Sequence, residues 1–151
     1  AVHVYDTQTY ADLQHVRCMN DYVPRTLWVW GSGCAVCDAF GGHVCPPSYA
    51  YMAVMDHVDV WEMSKGLLTD RLNSLKCHGI VSAVRSEGKY LLVTTWAGIV
   101  HIFDITKHHI PVTVLEVPAE CLAAVIHDDH IYCSCGTGLC RWIRGPVVGA
   151  Y

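Results

Sequence analysis

Four short stretches of the chain alternate apolar and polar residues and then break into a polar turn. The first runs Val2-His3-Val4-Tyr5-Asp6-Thr7-Gln8-Thr9, and the second His57-Val58-Asp59-Val60-Trp61-Glu62-Met63-Ser64-Lys65-Gly66. The third is Gly98-Ile99-Val100-His101-Ile102-Phe103-Asp104-Ile105-Thr106-Lys107, and a looser fourth is Gly138-Leu139-Cys140-Arg141-Trp142-Ile143-Arg144-Gly145. A period of two sends alternate side chains to opposite faces, so each stretch reads as a half-buried β-strand. Each has an aromatic near its end (Tyr5, Trp61, Phe103, Trp142), and an acidic residue follows in three of the four. Trp61 and Phe103 are 42 residues apart and Phe103 and Trp142 are 39, close to the length of one four-stranded unit.

The segments between these anchors supply the other strands. Residues 80–85 alternate, Ser86-Glu87-Gly88-Lys89 makes a turn, residues 90–95 are β-branched and aromatic, and Ala97-Gly98 turns into the third anchor. The order recurs with strands at 112–117, 121–127, 130–135 and 139–143, separated by turns at Asp128-Asp129 and Gly136-Thr137-Gly138. Residues 63–75 carry a weak helical period and are read as a turn plus an outer strand. In the first third, residues 27–38 match the hairpins at 91–104 and 131–143, with Gly33 at the turn position of His57. Only 24 residues separate these two positions. Four strands with turns need roughly 30, so this alignment expects a missing strand or lost residues around 41–47.

Ile102-Phe103-Asp104 and Val60-Trp61-Glu62 stand where the WD-repeat family places its Trp-Asp pair, and Cys77-His78-Gly79 stands where that family often has Gly-His. On these residues the chain resembles the WD-repeat β-propellers and their degenerate relatives. The resemblance implies an all-β fold, a partial propeller of three to four four-stranded antiparallel blades. The units are an irregular 1–62, then 63–104 and 105–143, with a further strand starting at 144–151. Third strands are expected at 2–6, 58–62, 100–104 and 139–143, with Trp61, Phe103 and Trp142 between adjacent blades. Closed propellers have 4–8 blades, so the remaining blades are expected elsewhere in a longer parent chain or in a second copy. The implied function is non-catalytic: an intracellular scaffold that binds proteins and needs no cofactor. In a propeller the turns from second to third strand and the links between blades open on one face. Here those positions carry Ser32, His57, Trp96, Thr137, His78 and Glu120, the candidate protein-binding residues.

Composition narrows the classes. Of 151 residues 52% are apolar and 16% charged, which excludes disorder. The net charge of −4 and the thin spread of Lys and Arg argue against a nucleic-acid partner. No apolar window reaches the roughly 18 residues of a membrane helix. Nine cysteines at irregular spacing fit free thiols and a reducing, cytoplasmic location better than a disulfide framework.

Two Cys/His groups raise a metal-binding or catalytic alternative. Cys34-Ala-Val-Cys37, with His43 and Cys45, has the spacing of half a zinc site, but residues three apart on a strand face opposite sides. Cys133, Cys135 and Cys140 with His130 form the second group, equally suited to a buried row of small apolar side chains. His108-His109 and His127-Asp128-Asp129-His130 read as solvated turns, and no metal ligand is assigned. No nucleophile elbow, phosphate loop or dinucleotide fingerprint is present, so no catalytic residue is assigned. A third possibility is a structural subunit whose apolar faces are permanently covered by a neighbour.

Overall fold

The computed structural model describes residues 2–17, 24, 26–31 and 47–143, with the backbone alone at Trp142 and Ile143. Thirteen strands are described. They are β1 (Val2–Tyr5), β2 (Asp12–Val16), β3 (Thr26–Trp30), β4 (Ser48–Val54), β5 (His57–Ser64), β6 (Leu67–Lys76), β7 (Val81–Glu87), β8 (Tyr90–Thr95), β9 (Ile99–Asp104), β10 (Ile110–Glu116), β11 (Ala124–His127), β12 (His130–Cys135) and β13 (Gly138–Ile143). The helical content among the described residues is one 3-10 turn, Ile105–Lys107. Every pairing is antiparallel between consecutive strands, giving sheets β1-β2, β3-β4-β5-β6, β7-β8-β9-β10 and β11-β12-β13.

Local sequence explains the tight turns. Lys65 and Gly66 (φ 51° and 77°) and Asp128 and Asp129 (φ 48° and 61°) both hold two successive positive φ values. That conformation matches the right-handed twist of the strands it joins.

The sheets stack face to face in chain order. Tyr51, Ala53, Val58, Val60 and Leu75 of the second sheet meet Val84, Leu91, Val93 and Phe103 of the third. Leu92, Val100, Ile102 and Leu115 on the third sheet's other face meet Ala124, Ile131 and Cys133 of the fourth. Val2 and Val16 cover Ala50, Met52, Trp61 and Met63 on the second sheet's other face. Phe103 and Trp61 therefore lie between sheets as expected; the side chain of Trp142 lies outside the described residues.

The first third departs from the sequence alignment. The strand Thr26–Trp30 is the first of its sheet and pairs with Ser48–Val54, so it corresponds to β7 and not to β8. No strand is missing from this sheet. Its second strand is Ser-Tyr-Ala-Tyr-Met-Ala-Val, an apolar run without alternation because both of its faces are buried. Trp28 and Trp30 fix the first-strand position of β3. Their indole N–H groups donate to Ser86 Oγ (2.6 Å) and the Gly88 carbonyl (2.8 Å), both belonging to the third sheet, and the Arg85 guanidinium lies 5.7 Å above the Trp28 ring. Residues 32–46, including Ser32, Cys34, Cys37, His43 and Cys45, lie outside the described residues.

Candidate docking face

The turns β4–β5, β8–β9 and β12–β13 and the links β6–β7 and β10–β11 lie at one end of the sheets, and main-chain hydrogen bonds tie them together. Cys77 N–H donates to Asp56 O (2.8 Å) and Val81 N–H to Met55 O (2.7 Å). Forty residues on, Val117 N–H donates to Gly98 O (2.8 Å) and Cys121 N–H to Thr95 O (3.3 Å). Trp96 N–H donates to Ile80 O (2.9 Å), and Gly136 N–H to Glu120 O (3.0 Å) at the same offset. Each link thus bonds to the turn of the sheet before it and the turn of the sheet after it.

His57, His78, Trp96, Glu120 and Thr137 all stand at this end, while Ser32 lies outside the described residues. His78, Trp96, Glu120 and Thr137 are exposed, and His57 is half-buried. Trp96 leaves 49% of its surface in solvent although its own backbone is anchored to Ile80. Beside it a shallow depression of about 730 Å³ is lined by His78, Gly79, Ala97, Ile99, Val114 and Glu116.

A polar framework holds this end from below. Ser82 Oγ donates to the Cys121 carbonyl (2.5 Å) and pairs with Thr94 Oγ1 (2.8 Å), joining the third sheet to the link into the fourth. The His78 ring stacks on His101 at 5.1 Å, and His78 N–H donates to His101 Nε2 (2.9 Å). That bond requires an unprotonated Nε2. Burial, reinforced by His78, pushes the His101 pKa down to about 4. His57 stands between Asp56 (3.4 Å) and the buried Asp59 (3.7 Å), which also pairs with Arg71 at 3.1 Å. Contact with Lys76, the largest influence, holds the Asp56 carboxyl below the usual range.

His101 escaped the sequence reading, although its i, i+2 relation to buried Phe103 marks it as facing inward. His109, expected from the sequence in a solvated turn, is instead buried, and its Nε2 meets the Tyr51 hydroxyl at 2.7 Å across the second and third sheets. Of the second Cys/His group the structure brings together Cys133, Cys135 and Cys140 but not His130. His130 pairs with Ile143 at the end of the β12–β13 hairpin remote from the Cys135–Gly138 turn, and its Nδ1 meets the Asp128 carbonyl at 2.7 Å. Among the described residues no three His, Cys, Asp or Glu side chains converge as a metal site requires. Nor is any helix there long and apolar enough to cross a membrane.

No protein-family model matches the chain, and no curated protein matches it. Solved structures do. The computationally designed Ika8 protein aligns with a TM-score of 0.59 at 15% identity, over 95% of this chain and 40% of its own. BBS1N, crystallised in complex with ARL6DN, gives 0.58 at 13% identity, over 88% of this chain and 40% of that one. The computationally designed Ika4 protein gives 0.51 at 16% identity, over 64% and 61%. These are β-propeller proteins. The fold is a partial β-propeller. The four sheets are its blades, and the end carrying Trp96 is the face where blade links and turns meet. The chain accounts for 40–61% of the length of these structures.

Proposed function

We propose that this chain is a non-catalytic docking module, a degenerate WD-repeat propeller segment that holds a protein partner on the face containing Trp96, His57, His78, Glu120 and Thr137. The observation that carries the reading is the placement of Trp96. Its backbone is fixed by a hydrogen bond to the neighbouring link, yet half of its surface faces water at a turn where a small polar residue would suffice. A large ring on a rigid backbone gives contact area at little entropic cost, and interfaces concentrate their energy in such residues. The depression beside it offers room for a partner side chain, and Glu116 and His78 give its lining a polar character. BBS1N was solved with a protein partner, which agrees with this class of function. The WD-repeat assignment draws on Phe103-Asp104, Trp61-Glu62 and His78. Asp104 closes its own turn, accepting hydrogen bonds from Thr106 N–H (3.0 Å) and Thr106 Oγ1 (2.6 Å).

Replacing Trp96 with alanine is expected to weaken capture of the partner by about 2 kcal/mol, roughly thirtyfold, with the Tm within a few degrees of the parent. Affinity capture from cell extract, compared with a Tyr10→Ala variant at the opposite end, reads the first effect, and thermal melting the second. A large fall in Tm would place Trp96 in the core and remove the docking reading.

A second partner surface is favoured by apolar side chains left exposed on the second sheet and on the terminal β11-β12-β13 sheet. Leu27 and Val29 on β3 are about half exposed, and Leu139 on β13 is 70% exposed. Further blades, from a longer chain or a second copy, are the occupants that fit such faces.

A further inference from the structure

Four thiols gather where the third and fourth sheets meet. Cys121 and Cys133 are buried in that interface, and Cys135 and Cys140 pack half-buried against it. The β12–β13 register sets Cys133 directly opposite Cys140. Both side chains lie on the same face, because both pack on the core formed with Leu92, Ile102 and Leu115. Directly opposed residues of antiparallel strands have Cα atoms about 4.5–5.5 Å apart. Disulfides span roughly 4.4–6.8 Å between Cα atoms. The pair is thus already placed for a covalent bond that the reduced chain has not made.

We propose that Cys133 and Cys140 form a reversible cross-strand disulfide when the protein meets a hydroperoxide. Cys140, half-buried on the outermost described strand of its sheet, is the member of this pair that peroxide reaches. Its thiolate attacks one peroxide oxygen, the O–O bond breaks, and the departing hydroxide takes the thiol proton as water, leaving Cys140 as sulfenic acid. The Cys133 sulfur then attacks the Cys140 sulfur, the S–O bond breaks, and a second water leaves with the Cys133 proton. Two thiols are oxidised by two electrons in all, and one hydrogen peroxide is reduced to two waters. A dithiol reductant reverses the step by exchange. Cys121 is fully buried behind this pair, its thiol directed to the Ala123 carbonyl at 3.5 Å and in contact with the Cys133 thiol, and Cys135 lies opposite Gly138 with its thiol in contact with that of Cys140. Neither has a directly opposed cysteine. The bond ties β13 to β12 next to the Gly136-Thr137 turn and so stiffens one edge of the docking face.

The test uses the whole reduced chain. Treatment with hydrogen peroxide, blocking of free thiols with an alkylating agent, and peptide mass mapping should show the peptide holding both residues about 2 Da lighter, with Cys133 and Cys140 unalkylated. The Tm should rise on oxidation and return with dithiothreitol. Cys121→Ala and Cys135→Ser should keep the link, while Cys133→Ala and Cys140→Ser should lose it, Cys140→Ser with its reduced-state Tm retained. A link through Cys121 or Cys135, or alkylation of Cys133 and Cys140 after peroxide, would overturn the proposal.

Discussion

Gly98→Val is expected to destabilise the fold by about 4 kcal/mol, a large share of the 5–15 kcal/mol that holds a typical domain. Two independent effects add at this position. Its φ of +79° lies in the left-handed region, which costs a residue with a side chain roughly 1–2 kcal/mol and a β-branched one more. A Cβ there would also stand 2.4 Å from the Ala119 carbonyl oxygen and 2.7 Å from that of Val117. Both obstacles are backbone, and both belong to the link that Gly98 O itself fixes through Val117 N–H, so they cannot move aside without breaking that bond. Forced overlap of this kind adds about 1–3 kcal/mol. Gly66 separates the two effects. Its φ is +77°, but nothing lies within 4 Å of its missing Cβ, so Gly66→Val should cost only about 2 kcal/mol. Denaturant melts of the two variants decide the matter, and equal losses would show that the contact with the link contributes nothing.

Acidification is expected to loosen the stack of the second and third sheets through its buried histidines. In the unfolded chain a histidine binds its proton near pH 6.5, whereas His101 in the fold binds it only near pH 4. Between those values the unfolded chain carries more protons, so lowering the pH favours it. Stability is complete above about pH 6.5 and falls as the pH drops towards 4, with about 2 kcal/mol lost by pH 5 and on the order of 3 kcal/mol in total. His109 acts in the same direction, because burial, aided by His108, lowers its pKa as well. The carboxyl of Asp104, lowered chiefly by its hydrogen bond to Thr106, has the same proton balance as the histidines, the unfolded chain binding its proton first, and so the same outcome. Its stabilisation is present above about pH 3.8 and is lost below it, outside the histidine window. Thermal melts between pH 7.5 and pH 4.5 should therefore show a steady fall in Tm, and His101→Gln should flatten the upper part of that curve. A Tm constant down to pH 4.5 would mean that His101 is not held neutral by the fold.

Much of the architecture was legible because the middle of the chain obeys simple patterns. The Asp128-Asp129 turn and the strand His130–Cys135 fall where alternation and turn residues put them, and the outer strand Leu67–Lys76 follows the Lys65-Gly66 turn. The misplacement of Thr26–Trp30 has a physical source. Its Leu-Trp-Val-Trp pattern is that of any half-buried strand, and its position in the sheet is decided by contacts 58 residues away, where Trp28 and Trp30 reach Ser86 and Gly88. The strand Ser48–Val54 was invisible to a search for alternation because burial on both faces removes the period. At the docking face, the shared end of His57, His78, Trp96, Glu120 and Thr137 followed from the order of turns. The bonding of each link to two successive turns, and the buried His101 beneath His78, depend on how neighbouring sheets meet, which no local pattern encodes.

The docking face itself is tested most directly by hydrogen exchange of the chain, free and bound to the protein that Trp96→Ala fails to capture. Protection is expected at the amides of Asp56, Trp96, Ala97 and Thr137 and along residues 77–80 and 119–122. The turns at the opposite end, Lys65-Gly66, Gly88-Lys89, His108-His109 and Asp128-Asp129, should exchange as in the free chain. Protection concentrated on that opposite end, with Trp96 and residues 77–80 unchanged, would contradict the assignment of this face.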